Sequence, residues 1–207
     1  MTDETAGRFG EAVKGKIGVL IEEHFDPTEF TRFNEYLPSR GYQVEYISHL
    51  WGQEKLKFGS NAENDQVDQH VTVVTEINNI KAEDYKGILL IGAYATDRLR
   101  YQTEVYKGQK NLSPAVVFLR KVMQTKGLKL GTICHSLWLL CADRDLMAGR
   151  KVTCSHNILC DVENAGGDVI YEGNGTSEMV IDRDLITGKH PGMVDLFMET
   201  FVNEIEK

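Results

Sequence analysis

No run of apolar residues in the 207-residue sequence approaches the roughly 20 that a membrane span needs, so no membrane partner is expected. The first residues, MTDETAGRFGEAVKGK, are polar and lack a hydrophobic signal core, which predicts a cytoplasmic protein. The net charge is −8 and no cluster of basic residues interrupts it, so no nucleic-acid partner is expected either. The four cysteines, Cys134, Cys141, Cys154 and Cys160, show no CxxC spacing, which argues against a zinc knuckle or a thioredoxin-like site. In a cytosolic protein they should be reduced thiols. No GxGxxG follows the first strand candidate, so dinucleotide binding is not expected, and no cofactor is. Internal repeats and low-complexity segments are also missing.

What is present is an ordinary globular composition, 42% hydrophobic and 26% charged. A chain of this size buries roughly 70% of its unfolded surface, enough for a core without staples. Residues 1–15 read as a flexible leader and 16–207 as one domain. KIGVLI at 16–21 is a Val/Ile-rich buried strand. DPTEFTRFNEYLPSRG at 26–41 opens with helix-start signals at Asp26 and Pro27 and stops at Gly41. YQVEYIS at 42–48 alternates as a strand, 51–69 is a polar excursion, and 70–77 is another strand. The unbroken apolar run ending near Tyr94 suits a strand buried on both faces. Ser113, Pro114 and Gly127 bound a helix, and 128–133 is the next strand, with a helix beginning at Cys134. A strand at 150–155, a short helix at 157–167, a strand at 168–173, two brief strands around Asp182 and Arg183, and a terminal helix complete the chain. Strands alternating with helices predict an α/β three-layer sandwich, a mostly parallel sheet flanked by helices. In such folds reactive groups gather beyond the carboxyl ends of the strands.

That is where Cys134 falls, in LKLGTICHSLWLLCA. A strand-to-helix turn would lift its sulfur out of the core, as in a nucleophile elbow, although the usual glycine two positions on is Ser136. The helix N-terminus would favour thiolate, and the next backbone N–H would face a developing oxyanion. His135 follows at once as a possible base. Asp97, past the strand ending at Ile91, reaches the same edge and could orient it, or could cap a helix or pair with Arg98 or Arg100. Glu29, after the first strand, opens on that edge too, though composition alone reads it as a solvated helix residue. Cys141, Cys154 and Cys160 read as small buried hydrophobes. Cys154, His156 and Cys160 also offer an atypically spaced metal set; no metal site is expected.

These residues resemble the ThiJ/PfpI family of the class I glutamine-amidotransferase-like superfamily, with a flavodoxin-like fold. TICHSLWLL, GILLIGAYATDRLR, FDPTE and LITGKHPGMVDLFM carry the resemblance, which runs from Lys16 onward with excursions near 51–69 and 101–113. The resemblance implies Cys134 as nucleophile, Glu29 as the acid tuning it, and His135 as base. Asp97 would complete a triad from a neighbouring subunit, and Gly92 and Ala93 would lie near the oxyanion site. Ser136, Trp138 and Tyr94 are further candidates for lining the pocket. Asp26 rivals Glu29. The pattern's Pro-Gly-Gly is Ile91-Gly92-Ala93 here, and its Glu is Asp97. The implied activity is thiolate attack on a small carbonyl or acyl substrate, as in a hydrolase (amidase or peptidase) or a cofactor-independent glyoxalase or deglycase. A homo-oligomer, dimer or hexamer, is implied too. The alternative is a redox sensor or stress chaperone in which Cys134 oxidises without turnover.

Overall fold

A computed structural model describes residues 13–61 and 68–207. Thirteen strands are present among them: β1 (Gly15–Leu20), β2 (Tyr42–Ser48), β3 (Leu56–Gly59), β4 (His70–Val73), β5 (Thr75–Glu76), β6 (Gly87–Leu90), β7 (Lys129–Ile133), β8 (Lys151–Val152), β9 (Asp168–Val169), β10 (Tyr171–Glu172), β11 (Gly175–Thr176), β12 (Met179–Asp182) and β13 (Leu185–Gly188). The α-helices are α1 (Pro27–Ser39), α2 (Ala95–Leu99), α3 (Pro114–Gln124), α4 (Arg144–Met147), α5 (Leu159–Asn164) and α6 (Val194–Ile205). Seven strands form the central sheet in the order β12-β13-β7-β6-β1-β2-β5. Every pair in it is parallel except β12 with β13.

The central strands alternate between two cores, as a period of two requires. Leu20, Ile88, Leu90 and Leu130 face Val116, Leu119 and Val122 of α3. Ile17, Val19, Leu89 and Ile91 face Phe33 and Leu37 of α1 and Phe197 and Phe201 of α6. This is the expected sandwich, with one core on each face of the sheet. The helix starts follow their caps. Asp26 caps α1, and the Ser113 hydroxyl accepts from the Val116 N–H before Pro114 begins α3.

Several expected elements are divided differently. The strand expected over 70–77 splits: β4 pairs with β3 in an antiparallel hairpin, while β5 joins the main sheet beside β2. Val74 between them is turned to solvent, and alternation reads the same whichever partner a strand takes. The expected strand at 150–155 is only β8, and it pairs with β9 outside the main sheet. The strand expected over 168–173 is likewise shared between β9 and β10. The excursion at 51–69 contains β3, and Ala62 to Val67 within it lie outside the described residues, as does the leader through residue 12. The hairpin is hooked onto the loop after β1: the His24 N–H donates to the Gly59 carbonyl at 2.8 Å and the Asn61 N–H to the Phe25 carbonyl at 2.7 Å. That loop leads into α1, so the excursion braces one wall of the site.

Gly131 lies under α6. A Cβ there would stand 2.6 Å from Leu89 Cδ2 and 2.9 Å from both Phe197 and Phe201. Overpacking a core contact of this kind costs about 1–3 kcal/mol. Gly131→Ala should therefore lower the urea midpoint by that equivalent with an unchanged denaturant slope; an unaltered midpoint would show that α6 does not press on the sheet there.

Candidate active site

The Asp26 side chain accepts the backbone N–H groups of Thr28 and Glu29, each at 2.9 Å. This cap and Pro27 fix the first turn of α1, and the turn sends Glu29 inward. Glu29 is fully buried. Its Oε2 accepts the Gly92 N–H at 2.6 Å, and its Oε1 is sealed from solvent with no hydrogen-bond partner. A Cβ at position 92 would lie 2.6 Å from Glu29 Oε1 and 3.1 Å from Cys134 Cβ, so a glycine is what lets the carboxyl and the cysteine share this corner. Asp26 is spent on the cap, and Glu29 is the acid that reaches the cysteine's corner.

Cys134 leaves β7 with φ at +58°, in the left-handed region that side chains disfavour. Such a strained turn is what an elbow uses to present a nucleophile. Ser136 holds it. Its hydroxyl accepts the Ile133 N–H at 2.9 Å and donates to the Ile133 carbonyl at 2.8 Å. Ser136 is therefore not a pocket-lining side chain: it is buried, and its hydroxyl closes the turn on itself. The expected helix from Cys134 is a nine-residue 3₁₀ segment, Cys134–Ala142. Leu137, Leu139 and Leu140 are buried and Trp138 and Cys141 pack against the same core, so the segment has no solvent face of helical period.

The electrostatics also differ from the simple helix-terminus picture. Burial first, and the charge of Glu29 second, push the Cys134 thiol up to about 12. The His135 backbone N–H and the Ser155 hydroxyl act on the sulfur in the opposite sense. Burial also holds Glu29 well above the usual carboxylate range, with Asp26 adding to it and the Gly92 N–H opposing. Both shifts run the same way: the corner disfavours charge on the carboxyl and on the sulfur alike. Because Oε2 accepts from Gly92, a proton on this carboxyl would sit on Oε1.

The His135 ring is turned to the other side. Its Nε2 is 3.6 Å from Asp97 Oδ1 of the same chain, an ion-pair distance, and its Nδ1 is 3.2 Å from Asn157 Nδ2. The Ser155 hydroxyl bonds to Asn157 Oδ1, which leaves the Asn157 amide to donate to Nδ1 and assigns the ring proton to Nε2. Burial lowers the His135 pKa, with Asp97 and Asp161 opposing. Tyr94 and Trp138 stand on either side, each with ring centroids 5.8 Å away. Arg100 lies over Trp138 at 3.7 Å. Among the described residues neither ring nitrogen of His135 is bonded to the Cys134 sulfur.

Gly92 and Ala93, expected near an oxyanion site, lie in the loop after β6. The Gly92 N–H is taken by Glu29, and Ala93 holds φ +54° where a second glycine would be relaxed. Ser155 and Asn157 went unread in the sequence as site residues; they come from the segment weighed as a metal set. In that segment Cys154 is buried while His156 and Cys160 are exposed, and no three metal-ligating side chains converge among the described residues.

A pH test follows from Glu29. Its folded-state pKa is raised, so the stabilisation from its proton is complete below the unfolded value of 4.5 and is lost as pH rises toward the folded one. Glu29→Gln, which keeps the shape without the titration, should gain thermal stability relative to wild type progressively from pH 5 to pH 9. A difference in melting temperature that stays constant across that range would show Glu29 already ionised in the fold.

Residues 15–204 match the family model described as the DJ-1/PfpI family. An uncharacterized protein of Staphylococcus haemolyticus is 26% identical over 191 residues, covering 92% of this chain and 98% of that one. Another, from Staphylococcus epidermidis, is 27% identical over 194 residues with the same coverage of each. Among solved structures, a two-domain protein of Anabaena variabilis with DJ-1/ThiJ/PfpI-like and ferritin-like domains superposes with a TM-score of 0.76 at 22% identity. That match covers 93% of this chain and 48% of the other, so this chain spans about half its length. Drosophila melanogaster DJ-1beta superposes with a TM-score of 0.70 at 16% identity, covering 93% of this chain and 94% of that one. Such structural likenesses speak to the fold, and the family match speaks to descent. With nearly the whole chain matched, the protein belongs to the DJ-1/PfpI family.

Proposed function

We propose that this protein is a cysteine-dependent enzyme acting on a small carbonyl or acyl compound, with Cys134 as nucleophile and no cofactor. The observation that carries the reading is the corner at Gly92. There a cysteine at positive φ, accessible in part to solvent, meets a buried carboxyl with one unpartnered oxygen. A buried polar atom without a partner costs about 1–3 kcal/mol, and a site that needs a proton donor beside a sulfur is a reason to retain it.

The first step is addition. The sulfur forms a bond to the electrophilic carbon, the carbonyl π pair moves to oxygen, and the thiol proton ends on that oxygen. The product is a thiohemiacetal from an aldehyde or a tetrahedral adduct from an acyl group, with no net oxidation. Glu29, protonated on Oε1, would stabilise the thiolate before attack and exchange protons with the adduct. The His135 backbone N–H, next after the nucleophile, is the donor an oxyanion would meet. His135 and Asp97 form a second acid–base pair on the far side. Asp97 of the same chain already reaches His135, so assembly into a dimer or hexamer is not needed to complete that pair. Four free thiols suit a reducing compartment such as the cytoplasm.

The same unpartnered Oε1 supports a second reading, a redox sensor. Peroxide would oxidise Cys134 to sulfenate and a second equivalent to sulfinate, water being released each time, and Glu29 would donate to a sulfinate oxygen.

Cys134→Ser should abolish turnover of methylglyoxal and of chromogenic amides and peptides, and Glu29→Gln should slow the active reaction about 10²–10⁴-fold with folding intact. Equal turnover by wild type and Cys134→Ser rejects the enzymatic reading. Stoichiometric conversion of Cys134 to sulfinate under mild peroxide, in a protein that turns over none of these substrates, selects the sensor instead.

A further inference from the structure

A cavity of about 400 Å³ opens beside the His135–Asp97 pair, lined by Trp51, Asp97, Arg98 and Tyr101. It is built by both excursions of the chain: Trp51 begins the one after β2, and Tyr101 begins the irregular stretch after α2. The two rings pack against each other in its wall, with centroids 5.5 Å apart and planes tilted by 54°, and His49 backs Trp51 at 4.4 Å. Trp51 holds φ at +55°, a genuine outlier for a bulky residue. Strain of that kind persists where surroundings over-determine it, commonly at ligand clamps. Tyr101 remains 56% exposed.

The charges are unequal in commitment. Asp97 faces His135. Arg98 is 62% exposed, and its one ion pair among the described residues is through Nε to the buried Glu22, at 3.5 Å. That contact leaves the terminal nitrogens of the guanidinium, the fork that suits a carboxylate, unclaimed. Tight sites combine a mostly apolar enclosure with a few polar groups of this sort.

We propose that this cavity is a substrate-recognition pocket for a monocarboxylate with a flat or aromatic body, the body lying against the Trp51–Tyr101 pair and the carboxylate on Arg98. The pocket rests on the proposed function only in naming the kind of compound delivered to Cys134; the binding itself needs no catalysis.

The test uses the Cys134→Ser protein, in which no adduct forms, with phenylacetate, its neutral isostere phenylacetamide, and phenethylamine as probes read by tryptophan fluorescence and calorimetry. Phenylacetate should bind saturably and at least 10-fold more tightly than phenylacetamide. Arg98→Gln should bring that ratio close to one, and Trp51→Phe should remove most of the fluorescence change while calorimetric binding persists. Each variant is checked for an unchanged melting temperature, and Arg98→Lys, which keeps the charge without the fork, should restore part of the preference. No saturable binding in the millimolar range, a preference untouched by Arg98→Gln, or tighter binding of phenethylamine overturns the proposal. Carboxylate binding in a protein without turnover leaves the pocket standing and removes the enzyme; turnover of small aldehydes without carboxylate binding does the reverse.

Discussion

The hydrogen bond from the Gly92 N–H to the buried Glu29 carboxyl joins the start of α1 to the loop after β6, at the point where β7 delivers Cys134. It imposes three conditions at once. The residue at 92 must lack a Cβ, because that atom would stand 2.6 Å from the carboxyl. The first turn of α1 must be rigidly set, which the Asp26 cap does. And the carboxyl is driven toward its neutral form, because a carboxylate in such a place would carry a desolvation penalty of several kcal/mol. Two core layers supply the stability that tolerates this corner: Phe33 and Leu37 of α1 and Phe197 and Phe201 of α6 are fully buried on the same side of the sheet.

The corner also sets the electrostatics of the sulfur. A helix N-terminus would favour thiolate by its dipole, but the segment after Cys134 is a tight 3₁₀ turn wedged into apolar surroundings. Burial therefore dominates and opposes ionisation. The charge of Glu29 adds to that opposition, and the groups that counter it are local: the His135 backbone N–H and the Ser155 hydroxyl. On the proposed reading, a proton on Glu29 would relieve the repulsion of a thiolate, and the reactive form would decline where that proton is lost.

The sequence made the sandwich legible because its signals are local. The strands β1, β6 and β7 are short apolar runs, and α1 and α3 announce themselves through Asp26-Pro27 and Ser113-Pro114. The candidate nucleophile was legible for the same reason: Cys134 lies at a change of period, and strand ends of this fold share an edge. The acid was harder. Asp26 and Glu29, three residues apart at a helix start, have the spacing of a capping box, which would return Glu29 to the backbone of Asp26. Instead Glu29 reaches Gly92, 63 positions along the chain, and no local rule reports that. Ser155 and Asn157 were hidden likewise, since their value lies wholly in meeting Cys134 and His135. Ser136 in a glycine's place looked like a weakened motif, yet its hydroxyl satisfies both Ile133 backbone groups. The division of 70–77 between two sheets escaped because alternation fixes which face a residue takes and says nothing about its neighbour strand.

The proposed chemistry and the proposed recognition thus fall in different parts of the fold. Glu29, Gly92 and Cys134 sit at the ends of central elements, where packing on both faces of the sheet fixes positions to the fraction of an ångström that proton transfer needs. Trp51 and Tyr101 sit at the roots of two irregular excursions, which can change length and composition without disturbing the sheet. The two regions touch at α2, five residues long, where Asp97 turns to His135 and Arg98 to Glu22 and the cavity. A ligand gripped by Arg98 would therefore bear on the helix that also holds the acid partner of His135. Binding energy gained at the aromatic pocket then has a route to the orientation of that pair, through one short rigid element.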